Sequence, residues 1–165
     1  MSIITTTAPC PLWRRLAALV YDLLAVLAIV MVVGLLCQLA TGGRLIGTGT
    51  QVVIPIWYRP LQALVVVAYF VVSWRYGGQT LGMRAWRIRL LRGGGNVVGF
   101  ARGALRVLVA ALPMAALALA PAWGLRAALW STLVLWVLWF APALFDRRRR
   151  ALHDLVADTE LLRVA

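Results

Sequence analysis

Lysine is absent from this 165-residue chain and acid is scarce: all 17 basic residues are arginine, against five aspartates and glutamates. The first 145 positions hold a single acid, Asp22. Paired carboxylates for acid–base catalysis are missing, and no Ser/His/Asp set or cofactor motif takes their place, so neither an enzyme nor a cofactor is expected. The only cysteines, Cys10 and Cys37, match no CxxC or metal spacing, which argues against a zinc site and a disulfide framework. Pro9 before Cys10 fits poorly with a lipoprotein cleavage box, so acylation is not expected either. His153 is the single histidine, and beside Asp154 it reads as a hydrogen-bonded anchor rather than a metal ligand.

What fills the chain instead is apolar: 63% of residues are hydrophobic and only 13% charged, with a mean hydropathy of +0.88. A soluble domain carries about half apolar residues and about twice that charge. The composition is that of an integral membrane protein. A net charge of +12 suggests nucleic acid at first. The arginines, however, crowd the ends of apolar segments, where they meet anionic lipid headgroups and fix orientation, so no nucleic-acid partner is expected.

Residues 1–12 are short, polar and Ser/Thr/Pro-containing, and read as a mobile tail ahead of a membrane domain at 13–165. Arg14-Arg15 before an apolar run mimics a signal sequence, but the run is too long, contains Asp22 and has no clear cleavage exit. Four transmembrane helices are predicted, at about 14–40, 57–75, 103–121 and 126–145. A glycine-rich loop, Thr41 to Gln51, follows the first. Trp57-Tyr58 and Trp74-Tyr76 bracket the second, and seventeen steps at 1.5 Å put these aromatics roughly 25 Å apart, close to one hydrocarbon thickness. Ala122-Trp123-Gly124-Leu125 is so short a connection that the third and fourth spans must run antiparallel. Pro113 and Pro142 read as tolerated kinks.

Between the second and third spans, Arg84, Arg87, Arg89 and Arg92 partly alternate with Trp86, Ile88 and Leu90 before Gly93-Gly94-Gly95-Asn96. Period two ahead of a glycine turn predicts a small interfacial hairpin within Arg84 to Phe100, and an amphipathic helix on the headgroups is the competing reading. After Arg147 to Arg150, the residues Leu152, Leu155, Val156 and Thr159 share a helical face, predicting a C-terminal amphipathic helix under the bundle. On this division only Arg44, Arg59 and Arg126 lie opposite the arginine-rich side, so both termini and the central loop belong in the cytoplasm. The fold class expected is an all-α, multi-pass inner-membrane protein.

Asp22 carries the sharpest functional signal. A carboxylate near the middle of a membrane helix costs roughly 2.5 to 3.5 kcal/mol on insertion scales, so it needs a partner or a task. Arg15 shares its helix face but lies roughly 10 Å away along the axis, and should snorkel to the headgroups. Arg106, near the start of the third span, reaches a similar depth and is the expected partner of Asp22.

Arg15 and Asp22 in the first span, Gly78-Gln79-Thr80-Leu81-Gly82 after the second, Arg106 in the third, and Leu152-His153-Asp154 with Thr159 together resemble the RDD family of membrane proteins. The family is named for one arginine and two aspartates, matched here by Arg15, Asp22 and Asp154. The resemblance runs from Trp13 to Val164, with Arg84 where the family often has a basic residue and Asp158 where it often has glycine. Gly78 to Gly82 is not a phosphate loop, since no lysine follows, and its expected task is a tight turn. Some members are proposed sodium/proton antiporters, which implies a monovalent cation as a partner. Two readings stay open for Arg15, Asp22, Arg106 and Asp154: an ion-exchange site, or a polar lock holding the helices. Four helices enclose too little space for alternating access, so transport implies a homo-oligomer; without it the chain is a scaffold or assembly subunit.

Overall fold

The computed structural model describes residues 6–43, 45 and 54–164. Much of the expected glycine-rich loop therefore falls outside the described residues. Strand β1 (Thr6–Pro9) leads into helix α1 (Leu12–Ala40); α2 (Tyr58–Gly77), α3 (Leu81–Ala85) and β2 (Ile88–Arg92) follow. Then come α4 (Phe100–Ala111), a 3-10 segment (Leu112–Leu119), α5 (Ala120–Trp123), α6 (Leu125–Phe140), α7 (Pro142–Phe145), α8 (Leu152–Val156) and β3 (Thr159–Val164).

Among the described residues, three stretches are long and apolar enough to cross a membrane: Leu12–Ala40, Phe100–Trp123 and Leu125–Phe145. Helix α2 is not among them, for its 20 residues include Arg59, Gln62 and Arg75. Proline shapes the second of the three stretches. Pro113 lacks an amide hydrogen, and from Leu112 the helix tightens into 3-10 geometry up to Leu119. Gly124, at φ 82°, then reverses the chain into α6. Trp139 of α6 donates its indole N–H to the Val109 carbonyl of α4 at 2.9 Å, which fixes the two stretches as an antiparallel pair.

Thr6–Pro9, within the expected mobile tail, and Thr159–Val164, which begins at the last residue of the expected amphipathic helix, are strands of a sheet. Its strand order is β1-β3-β2, with both pairings antiparallel. Period two in β2 is real, and Ile88 and Leu90 turn inward, but its partner is β3, through Ile88↔Arg163, Leu90↔Leu161 and Arg92↔Thr159. The Gly93 to Gly95 turn reverses the chain, and no hairpin strand forms over Val97-Val98. Pro9 sits on the edge strand β1, where its missing donor is tolerated, and the following Cys10 amide donates to Leu161 at 3.0 Å. Cys10 is buried with Ala18, Trp74, Met83, Leu90 and Leu161 in the core beneath the helices.

Helix α8 is a single short piece whose buried residues are His153 and Asp154, while Leu155 and Val156 face outward. The helical face read from Leu152, Leu155, Val156 and Thr159 is thus not the face the fold uses. Asp158 breaks the helix at φ 52°, a left-handed conformation that favours glycine, and Thr159 and Leu161 then bury in strand alternation.

Candidate functional site

Asp154 occupies the third position of α8, from which its carboxylate reaches back to accept the Ala151 amide at 3.1 Å. Two arginines from distant helices converge on it. Arg15 of α1 donates from Nη1 to Oδ2 at 3.1 Å, and Arg106 of α4 donates from Nε to Oδ1 at 2.9 Å, with its Nη2 in ion-pair contact with the same oxygen at 2.8 Å. All three side chains are buried, at 3%, 7% and 0% exposure for Arg15, Arg106 and Asp154. Arg15 also donates from Nε to the Cys10 carbonyl at 3.2 Å, and Arg106 lies 4.6 Å over the Trp74 ring. Burial pushes the Asp154 carboxyl up, but the Arg106 and Arg15 charges outweigh it and hold the group below the ordinary carboxylate range.

These contacts correct two expectations. The partner of Arg106 is Asp154, not Asp22; and Arg15 turns inward instead of snorkelling to headgroups. The cause is the C-terminal return: the sheet pins the end of the chain against α1, and α8 packs on α4, so Asp154 arrives between the two arginines. In the cluster from Arg147 to Arg150, Arg150 pairs with Asp146 at 2.9 Å and Arg148 lies 3.6 Å from Glu160. His153 stands edge-on to Phe140 with ring centres 5.5 Å apart, and burial, then the nearby Arg106 charge, push its pKa down to about 4. The imidazole is therefore neutral at physiological pH.

Asp22 is built differently. Its Oδ1 accepts from the Tyr69 hydroxyl at 3.0 Å and the Gly82 amide at 2.9 Å, and its Oδ2 accepts from the Thr80 hydroxyl at 2.6 Å. Every donor is neutral. The motif from Gly78 to Gly82 exists to present two of them. Gly78 ends α2 in a left-handed conformation, and Gln79 donates to the Ile88 carbonyl at 2.7 Å, anchoring the turn to β2. Thr80 caps α3 by accepting the Met83 amide at 3.2 Å, which leaves its hydroxyl hydrogen for Asp22. Gly82 packs directly on α1, since a Cβ there would meet the Ala18 carbonyl and come within 2.9 Å of the Asp22 carboxyl carbon. Sequence reading missed Tyr69. Its signal was a hydroxyl on an otherwise apolar stretch of α2, one helix away from the acid it serves.

Arg15, Asp22, Arg106, His153 and Asp154 share one cavity of ≈ 150 Å³, whose remaining wall is apolar and drawn from α1, α2, α4, α6 and the sheet. Arg15 and Asp22 do not touch, as their spacing predicts, and occupy different levels of this cavity. Among the described residues no group of three or more His, Cys, Asp and Glu side chains comes together that would hold a metal ion. A separate ionic cluster lies outside, where Asp158 accepts from Arg102 at 2.7 Å and Arg92 at 3.3 Å, both partly exposed. A model of the RDD family matches residues 9–158. No curated protein and no solved structure matches the chain.

Proposed function

Because the chain belongs to the RDD family, we propose that it is a four-span protein of the cytoplasmic membrane, with both termini inside, that exchanges a monovalent cation for protons at Asp22. Helix α2 supplies the fourth span, its arginines and aromatics seated at the two interfaces. The protein is a transporter and not an enzyme, and acts as a homo-oligomer, with anionic lipid headgroups against its arginine-rich cytoplasmic side.

The observation that carries this reading is the charge balance at Asp22. Asp154 has two cations; among the described residues Asp22, buried in the longest apolar helix, has only neutral donors. A carboxylate at that depth is neutralised by a proton or by a bound cation, and alternation between the two is the elementary step of exchange. Its place on a cavity wall gives an ion somewhere to arrive. Arg15, Asp154 and Arg106 serve as the fixed frame, joining α1, α4 and the C-terminal sheet.

A second reading, a non-transporting scaffold or assembly subunit, is favoured by the fact that both Asp22 oxygens are already hydrogen-bonded. Reconstituted vesicles separate the two. Exchange requires that sodium or lithium dissipate an imposed proton gradient in vesicles containing verified oligomers; inert vesicles leave the scaffold. Reporter fusions test the topology: an external signal at Gly43 and a cytoplasmic one at Gly94 are expected, and either reversal overturns it.

A further inference from the structure

The accessible wall of the cavity beside Asp22 is carbon. Its charged liners, Arg15, Asp22, Arg106 and Asp154, are buried, whereas Leu19, Phe70, Val107, Ala110, Trp136 and Trp139 are half-buried and supply the surface a guest would touch. Two arginines and two aspartates leave the lining without net formal charge. The helices around this space make an open arc. Helix α1 packs on α2, α2 on α4, and α6 on the 3-10 segment that continues α4, with the Trp139 indole tying α6 to Val109. Helices α1 and α6 are the two ends of that arc. Among the described residues no packing of comparable extent joins them, although Leu19 of one and Trp136 of the other line the same space. All four helices contribute from the end nearest the sheet: residues 15–22 of α1, 70–74 of α2, 106–110 of α4 and 136–140 of α6. The space therefore lies at the depth of one leaflet, flanked by two helices of membrane-spanning length.

We propose that the cavity opens between α1 and α6 onto the bilayer and holds an acyl chain of a phospholipid from that leaflet. An empty cavity forfeits dispersion contacts around its whole wall, and a hydrocarbon chain restores them. A space of ≈ 150 Å³ with an apolar wall is of the size that stays dry and takes a small hydrocarbon. A helix of a second copy, about 10 Å across, is too wide for it. The chain enters past Leu19 and Trp136 and lies against Phe70, Val107 and Ala110. The ion pairs of Asp154 and the hydrogen bonds of Asp22 stay intact, since both are completed within the protein. The inference rests on the cavity and not on ion exchange; where both hold, chain and ion compete for the space beside Asp22.

The experiment places the purified full-length protein in lipid nanodiscs containing a phosphatidylcholine with a diazirine midway along one acyl chain. Photolysis and peptide mass spectrometry then map the adducts. Bulk lipid labels the outward side of every span, and the exposed Val20 and Leu24 of α1 and Val137 and Leu138 of α6 report that background. Adducts of similar yield are expected on the inward side of the same helices, at Leu19, Trp136 and Trp139, and deeper, at Phe70 and Val107. Adducts confined to the outward positions would overturn the proposal. Ala110→Phe, or Val107→Phe from the neighbouring turn of α4, fills the space. In protein shown by melting temperature to be folded, either is expected to cut the inward adducts several-fold and leave the outward ones unchanged. Inward adducts that persist in both folded variants, or that fall in step with the outward ones, would show that the label arrives from outside the cavity and would contradict the proposal. If neither variant folds, the wild-type map decides alone.

Discussion

Replacing Asp154 by asparagine removes one negative charge from between two buried cations. The carboxylate accepts three hydrogen bonds, one each from Arg106, Arg15 and the Ala151 amide, with a second Arg106 nitrogen in ion-pair contact, and its side chain has no exposure. An amide in its place turns an N–H₂ toward donors on one side and leaves two guanidiniums without a counter-charge. Breaking one partner out of a buried pair costs about 3 to 5 kcal/mol, so Asp154→Asn should fall at least in that range. Arg106→Gln leaves Asp154 paired with Arg15 and should cost less, about 2 to 3 kcal/mol. The two share hydrogen bonds, so the double variant should be more stable than the sum of the single losses by about 1 kcal/mol or more. Asp22 and Arg106 share no partner, and Asp22→Asn combined with Arg106→Gln should be additive within about 0.5 kcal/mol. Equilibrium unfolding in mixed micelles measures both cycles. Additivity of Asp154 with Arg106, or strong coupling of Asp22 with Arg106, would refute the assignment of the ion pairs.

Stability should rise with pH between about 4 and 6.5, because folding depresses the His153 pKa to about 4 and the unfolded chain binds the extra proton in that window. The contribution is complete above the unfolded value, is lost as pH falls toward 4, and amounts to about 3 kcal/mol; His153→Gln should flatten the slope, and an unchanged slope would contradict it. Gly82→Ala should destabilise by about 1 to 3 kcal/mol, since the added methyl meets the Ala18 backbone of α1; a neutral effect in thermal melts would place α3 farther from α1. Cys10, buried under the sheet with its thiol pushed up by burial, should resist a polar maleimide in the folded protein and react after denaturation. Rapid labelling would mean that β1 is not docked.

Helix positions were legible in the sequence because an apolar run of membrane length admits few other solutions, and α1 and the α4 to α7 hairpin begin and end within a few residues of expectation. The residues of the polar centre were legible too, since charge in such a setting stands out. Their pairing was not. Arg106 has two acids within plausible reach on a one-dimensional reading, and the choice of Asp154 is made by β3, whose pairing with both β1 and β2 brings the chain's end back to its beginning. That sheet was hidden because each strand is four to six residues long and its partners are far apart in sequence. Local periodicity then favours a helix over Leu152 to Thr159, and only Asp158, in a conformation suited to glycine, marks where the helix must stop. Thr80 and Gly82 were picked out as a turn, and their service to Asp22 emerges only once α3 is packed on α1.

The central claim is that Asp22 handles the exchanged ion while Arg15, Asp154 and Arg106 hold the frame. Proton flux in vesicles bearing the wild-type protein or Asp22→Asn, matched for insertion and melting temperature, tests it most directly. The account predicts that added sodium or lithium collapses a proton gradient with the wild type, and that Asp22→Asn remains folded and loses the response. A wild-type protein that leaves the gradient intact, or an asparagine variant that exchanges as fast, would contradict it.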